Sequence, residues 1–373
     1  MTISAWVNRS ASALIVAYCA LSAPAFAAEK TVKDIMDREV TLDLPAERVF
    51  LGFYYPDYIA VGGVESFDKV VGFSREILEG WNPAQWELYR AAMPKLETLP
   101  DVGEIEAGTF SIEKLLALNP EVAVLAEWQF MALGEDIDRI EQAGIKVVVV
   151  DYNAETRERH LASTRLFGEI TGNTERAEEI AKRYETAVKT VEERIAAAGR
   201  EKPRYYVEFA NKGPAEYSFT YGKNMWGALS DMAGAENIAK PFVEWWGPMN
   251  PEQVLAAKPD VVMLAGRESE LKKNEEALVM GVGIDKAEAA RRLEGFTKRP
   301  GWAELPAVQN GQVYGVYQGA SRTIADYSMV QYIAKALYPD LFEDIDPEAE
   351  YIDFHKKYLP FVPEGTFTLK LGE

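Results

Sequence analysis

The residues best suited to chemistry in this chain are aromatic rings with a few guanidinium groups among them. Tyr54, Tyr55 and Tyr58 cluster in one five-residue stretch, Trp128 and Gln129 follow an apolar run, Trp245 and Trp246 are adjacent, and Arg75, Arg267 and Arg322 each lie beyond an apolar segment. Flat rings offer wide apolar area and stacking faces, while a guanidinium grips carboxylates or other anionic oxygens through paired hydrogen bonds. A ferric chelate with aromatic or carboxylate arms suits such a lining.

The tyrosines leave a second chemistry open. Phenolate is a hard oxygen donor suited to Fe(III), so tyrosinate-held ferric iron, or haem held axially by Tyr54, Tyr55 or Tyr58, remains an alternative. Capture of zinc or manganese calls for several histidines, and the chain has only His160 and His355. Enzymatic chemistry is poorly served. There is no Gly-x-Ser-x-Gly elbow, neither histidine has an obvious acid partner nearby in sequence, and Gly281-Val-Gly283 lacks the third glycine of a dinucleotide loop. The expectation is a binding protein with no catalytic residues, no intrinsic cofactor and no metal site of its own.

Positioning these residues requires a scaffold, and one phrase of the sequence occurs twice, 139 positions apart. Ser111 to Ala126 returns as Asn250 to Ala265, with Glu113/Glu252, Leu116/Leu255, Ala117/Ala256, Pro120/Pro259, Val122/Val261, Leu125/Leu264 and Ala126/Ala265 identical in register. Each copy reads as a short helix, a proline stop and a buried strand, which is half of a βαβ unit. The fold class is therefore α/β, with two Rossmann-like lobes, each built on a mostly parallel sheet. Between the copies, Asn173 to Gly199 keeps an apolar stripe at helical spacing through Ala177, Ile180, Ala181, Tyr184, Ala187, Val188, Val191, Ile195 and Ala198. Such a helix is roughly 38 Å long and would join the lobes as a stiff rod. The resulting organisation is a leader at 1–27, an N-terminal lobe at 28–171, the inter-lobe helix at 172–200 and a C-terminal lobe at 201–373. Open α/β sheets bind solutes at the carboxyl ends of their strands, which is where the candidate residues lie.

Composition narrows the setting. Met1 to Ala27 carries one charge, Arg9, an apolar run from Ala11 to Leu21, and the small-x-small ending Ala25-Phe26-Ala27, so a signal peptide cleaved after Ala27 is expected. The single cysteine, Cys19, leaves with it, and the exported chain must hold together without disulfides. A formal net charge of −19 repels nucleic acid and anionic lipid and leaves a small solute or a basic protein surface as partner.

In order along the chain, Val40-Thr-Leu42 with Pro45-Ala-Glu-Arg-Val49, Leu99-Pro-Asp-Val-Gly103 leading to Ser111-Ile-Glu113, Gly144-Ile-Lys-Val147, Gly172-Asn173, Met232-Ala-Gly-Ala-Glu-Asn-Ile238, Pro251-Glu252 through Pro259-Asp260, and Asn310-Gly-Gln-Val313 resemble the exported substrate-binding proteins of bacterial ABC importers for ferric siderophores, haem and cobalamin. The resemblance implies a periplasmic, monomeric clam that holds its ligand, here a ferric chelate or alternatively haem or a corrinoid, between two lobes that open little. It also implies an acidic residue on each lobe that docks onto arginines of an inner-membrane permease dimer, and Glu113 and Glu252 match those positions. A secreted α/β enzyme is the remaining, disfavoured reading.

Overall fold

The computed structural model describes residues 27–153 and 156–373. The expected leader, apart from Ala27, lies outside the described residues.

The first half contains β1 (Ala28–Lys33), β2 (Glu39–Leu44), β3 (Val49–Leu51), β4 (Val70–Phe73), β5 (Val122–Ala126) and β6 (Lys146–Val150). β1 and β2 form an antiparallel hairpin that sequence reading passed over as a polar start; its alternation of exposed and buried residues is the two-residue period of a half-covered strand. The other four make a parallel sheet in the order β4-β3-β5-β6. β5 is buried at all five positions because helices cover both faces, which is why its sequence is continuously apolar.

The second half contains β7 (Arg204–Phe209), β8 (Phe219–Tyr221), β9 (Glu236–Asn237), β10 (Trp246–Pro248), β11 (Val261–Gly266), β12 (Gly281–Val282), β13 (Val313–Tyr317), β14 (Gly365–Thr366) and β15 (Thr368–Lys370). Its main sheet runs β15-β13-β11-β7-β9, parallel except for the edge strand β15. Beyond the helix Tyr327–Leu337 the chain adds a last helix, Pro347–Tyr358, capped by the Asp346 carboxylate on the Ala349 amide.

The duplicated phrase folds alike in both halves. Ile112–Leu118 and Pro251–Ala257 are seven-residue helices whose caps, Ser111 and Asn250, accept backbone amides, and each ends in a left-handed residue, Asn119 or Lys258, before proline. Each then feeds an interior strand, β5 or β11.

The long helix spans Thr174–Ala198 and packs against helix Arg157–Thr171 of the first half and Tyr327–Leu337 of the second. Tyr184 shows how it serves both: its ring stacks on His160 at 4.9 Å and meets Tyr327 edge-on at 6.1 Å.

A fully buried ion pair holds the loop beyond β7. The Arg299 guanidinium donates two 2.8 Å bonds to the Glu208 carboxylate at the end of β7 and further bonds to the carbonyls of Gly213, Pro214 and Glu216, fixing the loop beyond that strand. Replacing one member of a buried pair strands the other's charge. Arg299→Met is expected to lower stability by about 3–5 kcal/mol in urea unfolding followed by circular dichroism, and Arg299→Met with Glu208→Gln to regain part of it; a single variant within 1 kcal/mol of wild type would contradict this account.

Candidate functional site

The carboxyl ends of the two parallel sheets face one another. From the first half, the chain leaves β3 through Phe53 and Tyr54 into helix Tyr55–Gly62; from the second, Arg267 follows β11 and Gln318 to Arg322 follow β13. These segments, with Asn82, enclose a cavity of about 60 Å³. Tyr54 (φ 55°) and Arg322 (φ 64°) both line it, and both hold left-handed backbone that non-glycine residues seldom adopt. Such strain, of order 1–3 kcal/mol per residue, persists where surroundings over-determine it and is concentrated at functional sites.

The two cavity arginines differ in how their charge is met. Arg267 donates from Nε and one terminal nitrogen to Glu270 Oε1 at 2.8 and 2.5 Å and lies over the Phe209 ring. Arg322 lies over the rings of Phe53 and Trp81, at 5.3 and 5.8 Å, and among the described residues no carboxylate comes within 4.0 Å of it. Desolvation lowers its pKa, and nearby Arg267 adds to that. A guanidinium in an aromatic enclosure without a counter-charge is a receptor for an anionic oxygen.

Around it the polar groups are mostly satisfied. The Tyr54 hydroxyl donates to Asp151 Oδ1 at 3.2 Å, and burial, with Asp151 adding, pushes its pKa well up. Gln318 accepts from the Trp226 indole at 2.7 Å and donates to the Tyr221 hydroxyl at 3.0 Å.

The remaining expected residues are distributed differently. Tyr55 touches the cavity, but its hydroxyl donates to the carbonyls of Gly52 and Ser74. Tyr58 turns into the core against Phe67 and Phe167. Burial raises the pKa of both phenols, which makes phenolate at either position costly. Arg75 donates to the carbonyls of Glu97 and Leu99 and lies over Phe73 and Trp86, so its guanidinium stitches the end of β4 to a neighbouring loop. Gln129 is fully buried and braces β3 to β5, donating to Gly52 O and accepting from the Ala126 amide, both at 3.1 Å. Trp128 packs edge-on against Phe53 at 5.6 Å with its indole N–H buried and unpartnered, one ring removed from the cavity. Trp245 and Trp246 are 47% and 52% exposed. Trp246 pairs in register with Tyr221, the residue bonded to Gln318, so both lie on one face of the two-stranded β8–β10 sheet beside the cavity.

The histidines are spent inside the protein. His355 donates through Nδ1 to the Tyr351 carbonyl at 2.9 Å, and burial lowers its pKa to about 4. His160 meets Asp326 across the chain, at 3.1 Å, a partner sequence proximity could not reveal.

Sequence reading missed Phe53, Trp81, Asn82 and Asp57. Trp81 and Asn82 lie between the short helices Glu76–Glu79 and Pro83–Ala92, in a stretch whose aromatic richness without strand period was the available signal. Asn82 lines the cavity and the Trp81 ring lies under Arg322, and the second half holds the stretch in place: the Ser269 hydroxyl donates to Trp81 O at 2.9 Å, and Glu268 accepts the Ala84 amide at 3.3 Å.

Glu113 and Glu252 occupy the second position of the two equivalent helices, and both are exposed. Glu113 has one long contact, Arg139 at 4.0 Å, besides the Ser111 hydroxyl.

Among the described residues no helix is long and apolar enough to cross a membrane. The structure resembles that of the TroA-like periplasmic binding protein FepB from Veillonella parvula, with a TM-score of 0.85 and 34% identity over 92% of this chain and 99% of that one. In sequence it is 23% identical to the molybdate-binding protein MolA of Haemophilus influenzae, over 91% of this chain and 94% of the relative. It is also 24% identical to the uncharacterized ABC transporter substrate-binding lipoprotein YvrC of Bacillus subtilis, over 74% and 76%. Residues 68–318 match the profile described as periplasmic binding protein, and the chain belongs to that family.

Proposed function

We propose that the protein is the periplasmic receptor of an ABC importer and captures an anionic ferric chelate of siderophore type between its lobes, doing no chemistry on it. The observation that carries this reading is Arg322, a desolvated guanidinium over two aromatic rings with no counter-charge of its own. The relatives are substrate-binding proteins rather than enzymes, one of them named as part of an ABC transporter. A cavity of about 60 Å³ holds a few waters and cannot enclose a chelate. The ligand must therefore part the lobes or project through the mouth, where Trp246 and Trp128 offer faces for its arms. The same small volume favours a second reading, a compact oxyanion such as the molybdate named for MolA.

Titration calorimetry separates the two. A ferric catecholate complex is expected to bind, Arg322→Gln to weaken it at least tenfold, the equivalent of about 1.4 kcal/mol or more, and Trp246→Ala to weaken it less. If molybdate binds and the catecholate complex does not, the oxyanion reading stands instead; if Arg322→Gln leaves every affinity unchanged, the assigned lining fails.

Glu113 and Glu252 present matching carboxylates from a duplicated scaffold, as a two-fold permease with matching basic pockets would require. Glu113→Lys with Glu252→Lys is expected to abolish uptake by cells while leaving calorimetric affinity within twofold of wild type; loss of affinity would contradict the docking role.

A further inference from the structure

The segment that carries Arg322 is pinned to the opposite lobe at two points just beyond it. Asp57, in the first turn of helix Tyr55–Gly62 and 1% exposed, accepts through Oδ1 from the Thr323 hydroxyl at 2.8 Å and the Ile324 amide at 2.7 Å. Two residues further on, Asp326 meets His160 of helix Arg157–Thr171 at 3.1 Å. Asp57 Oδ2, Asp326 Oδ1 and His160 Nδ1 are all buried without partners.

Asp57 is held near a charge change. Burial raises its pKa to about 7, against the opposing pull of its two bonds and of His160, with Asp326 raising it further. It is faced by Tyr152 just beyond β6, by Tyr89 from helix Pro83–Ala92, by His160 from helix Arg157–Thr171, and by Tyr54 beside it. Asp151 is itself paired with Arg159. Burial disfavours the charged form of His160, yet Asp326, with Asp151 and Asp57 behind it, outweighs that and raises its pKa.

We propose that Asp57 is the positioning residue for Arg322, a clasp across the cleft that closes most firmly when its carboxyl carries a proton. Because the clasped backbone begins at Thr323, releasing it also frees the strained conformation at Arg322. Parting the lobes hydrates Asp57 and returns it to the ordinary carboxylate range near 4. The closed form thus holds more protons between about pH 4 and 7, so the clasp's contribution is complete at the acid end and is lost as pH rises through about 7. The proposal rests on reading this cleft as a trap that opens, and its test uses no ligand, so it fails or stands separately from the choice of solute.

The test is hydrogen exchange by mass spectrometry on the ligand-free full chain, reading the peptide that covers Thr323 to Asp326 and correcting for intrinsic exchange. Protection is expected to fall about tenfold between pH 6 and 8 in the wild type, to fall equally in His160→Gln, and to stay level in Asp57→Asn, which keeps the Oδ1 acceptor without the titration. Level protection in the wild type overturns the proposal on its own. A fall that survives in Asp57→Asn, or one abolished by His160→Gln, overturns it as well.

Discussion

Everything at the cleft depends on one constraint: the helix Thr174–Ala198 buries a single stripe against the helical layers of both halves at once. Ala177, Ile180, Ala181, Tyr184, Val188 and Val191 form that stripe, and their burial fixes the distance between two sheets that share no strand. Around it, salt bridges repeat the arrangement on both sides, Arg157 to Glu192 toward the first half, Arg183 to Glu350 and Arg194 to Asp344 toward the second. Such exposed pairs add little energy singly, so the apolar stripe carries the constraint. With the spacing set, Phe53 and Tyr54 on one edge can reach Arg267 and Arg322 on the other.

Much of this scaffold was legible because it is written in periodicity. The 139-residue repeat, the 3.6-residue stripe of the long helix and the apolar runs of β5, β6 and β11 are local signals that the packing then obeys. The site was less legible. Arg75 and Arg322 both follow parallel strands and look alike in sequence, yet one finds the carbonyls of Glu97 and Leu99 while the other finds only rings. What separates them is partners brought from elsewhere and a positive φ at Arg322, neither of which its neighbours in sequence encode. Trp81, Asn82 and Asp57 were hidden for the same reason: they join the site through contacts from Ser269, Glu268, Thr323 and Ile324, nearly two hundred residues away or more. Gln129 and Tyr58 illustrate the converse. A polar or aromatic residue just past a strand end can be consumed by the backbone or the core before a solute arrives.

The cavity's electrostatics also follow from how each charge is met. Arg267 is neutralised by Glu270 and Asp151 by Arg159, whereas among the described residues Arg322 has no carboxylate within 4.0 Å. A strongly acidic chain thereby keeps one half-buried cationic point at the cavity, and an anion crossing the surface is drawn inward only once it reaches the mouth.

The matched helices Ile112–Leu118 and Pro251–Ala257 have a geometric consequence. Two carboxylates at equivalent points of a duplicated scaffold look the same after a half-turn, so on their own they do not tell a symmetric partner which lobe is which. The antiparallel β8–β10 pair, with Phe242, Trp245 and Trp246 about half exposed at and before β10, follows β7 in the second half, and among the described residues no such pair follows β3 in the first. It gives an otherwise two-faced molecule a handedness.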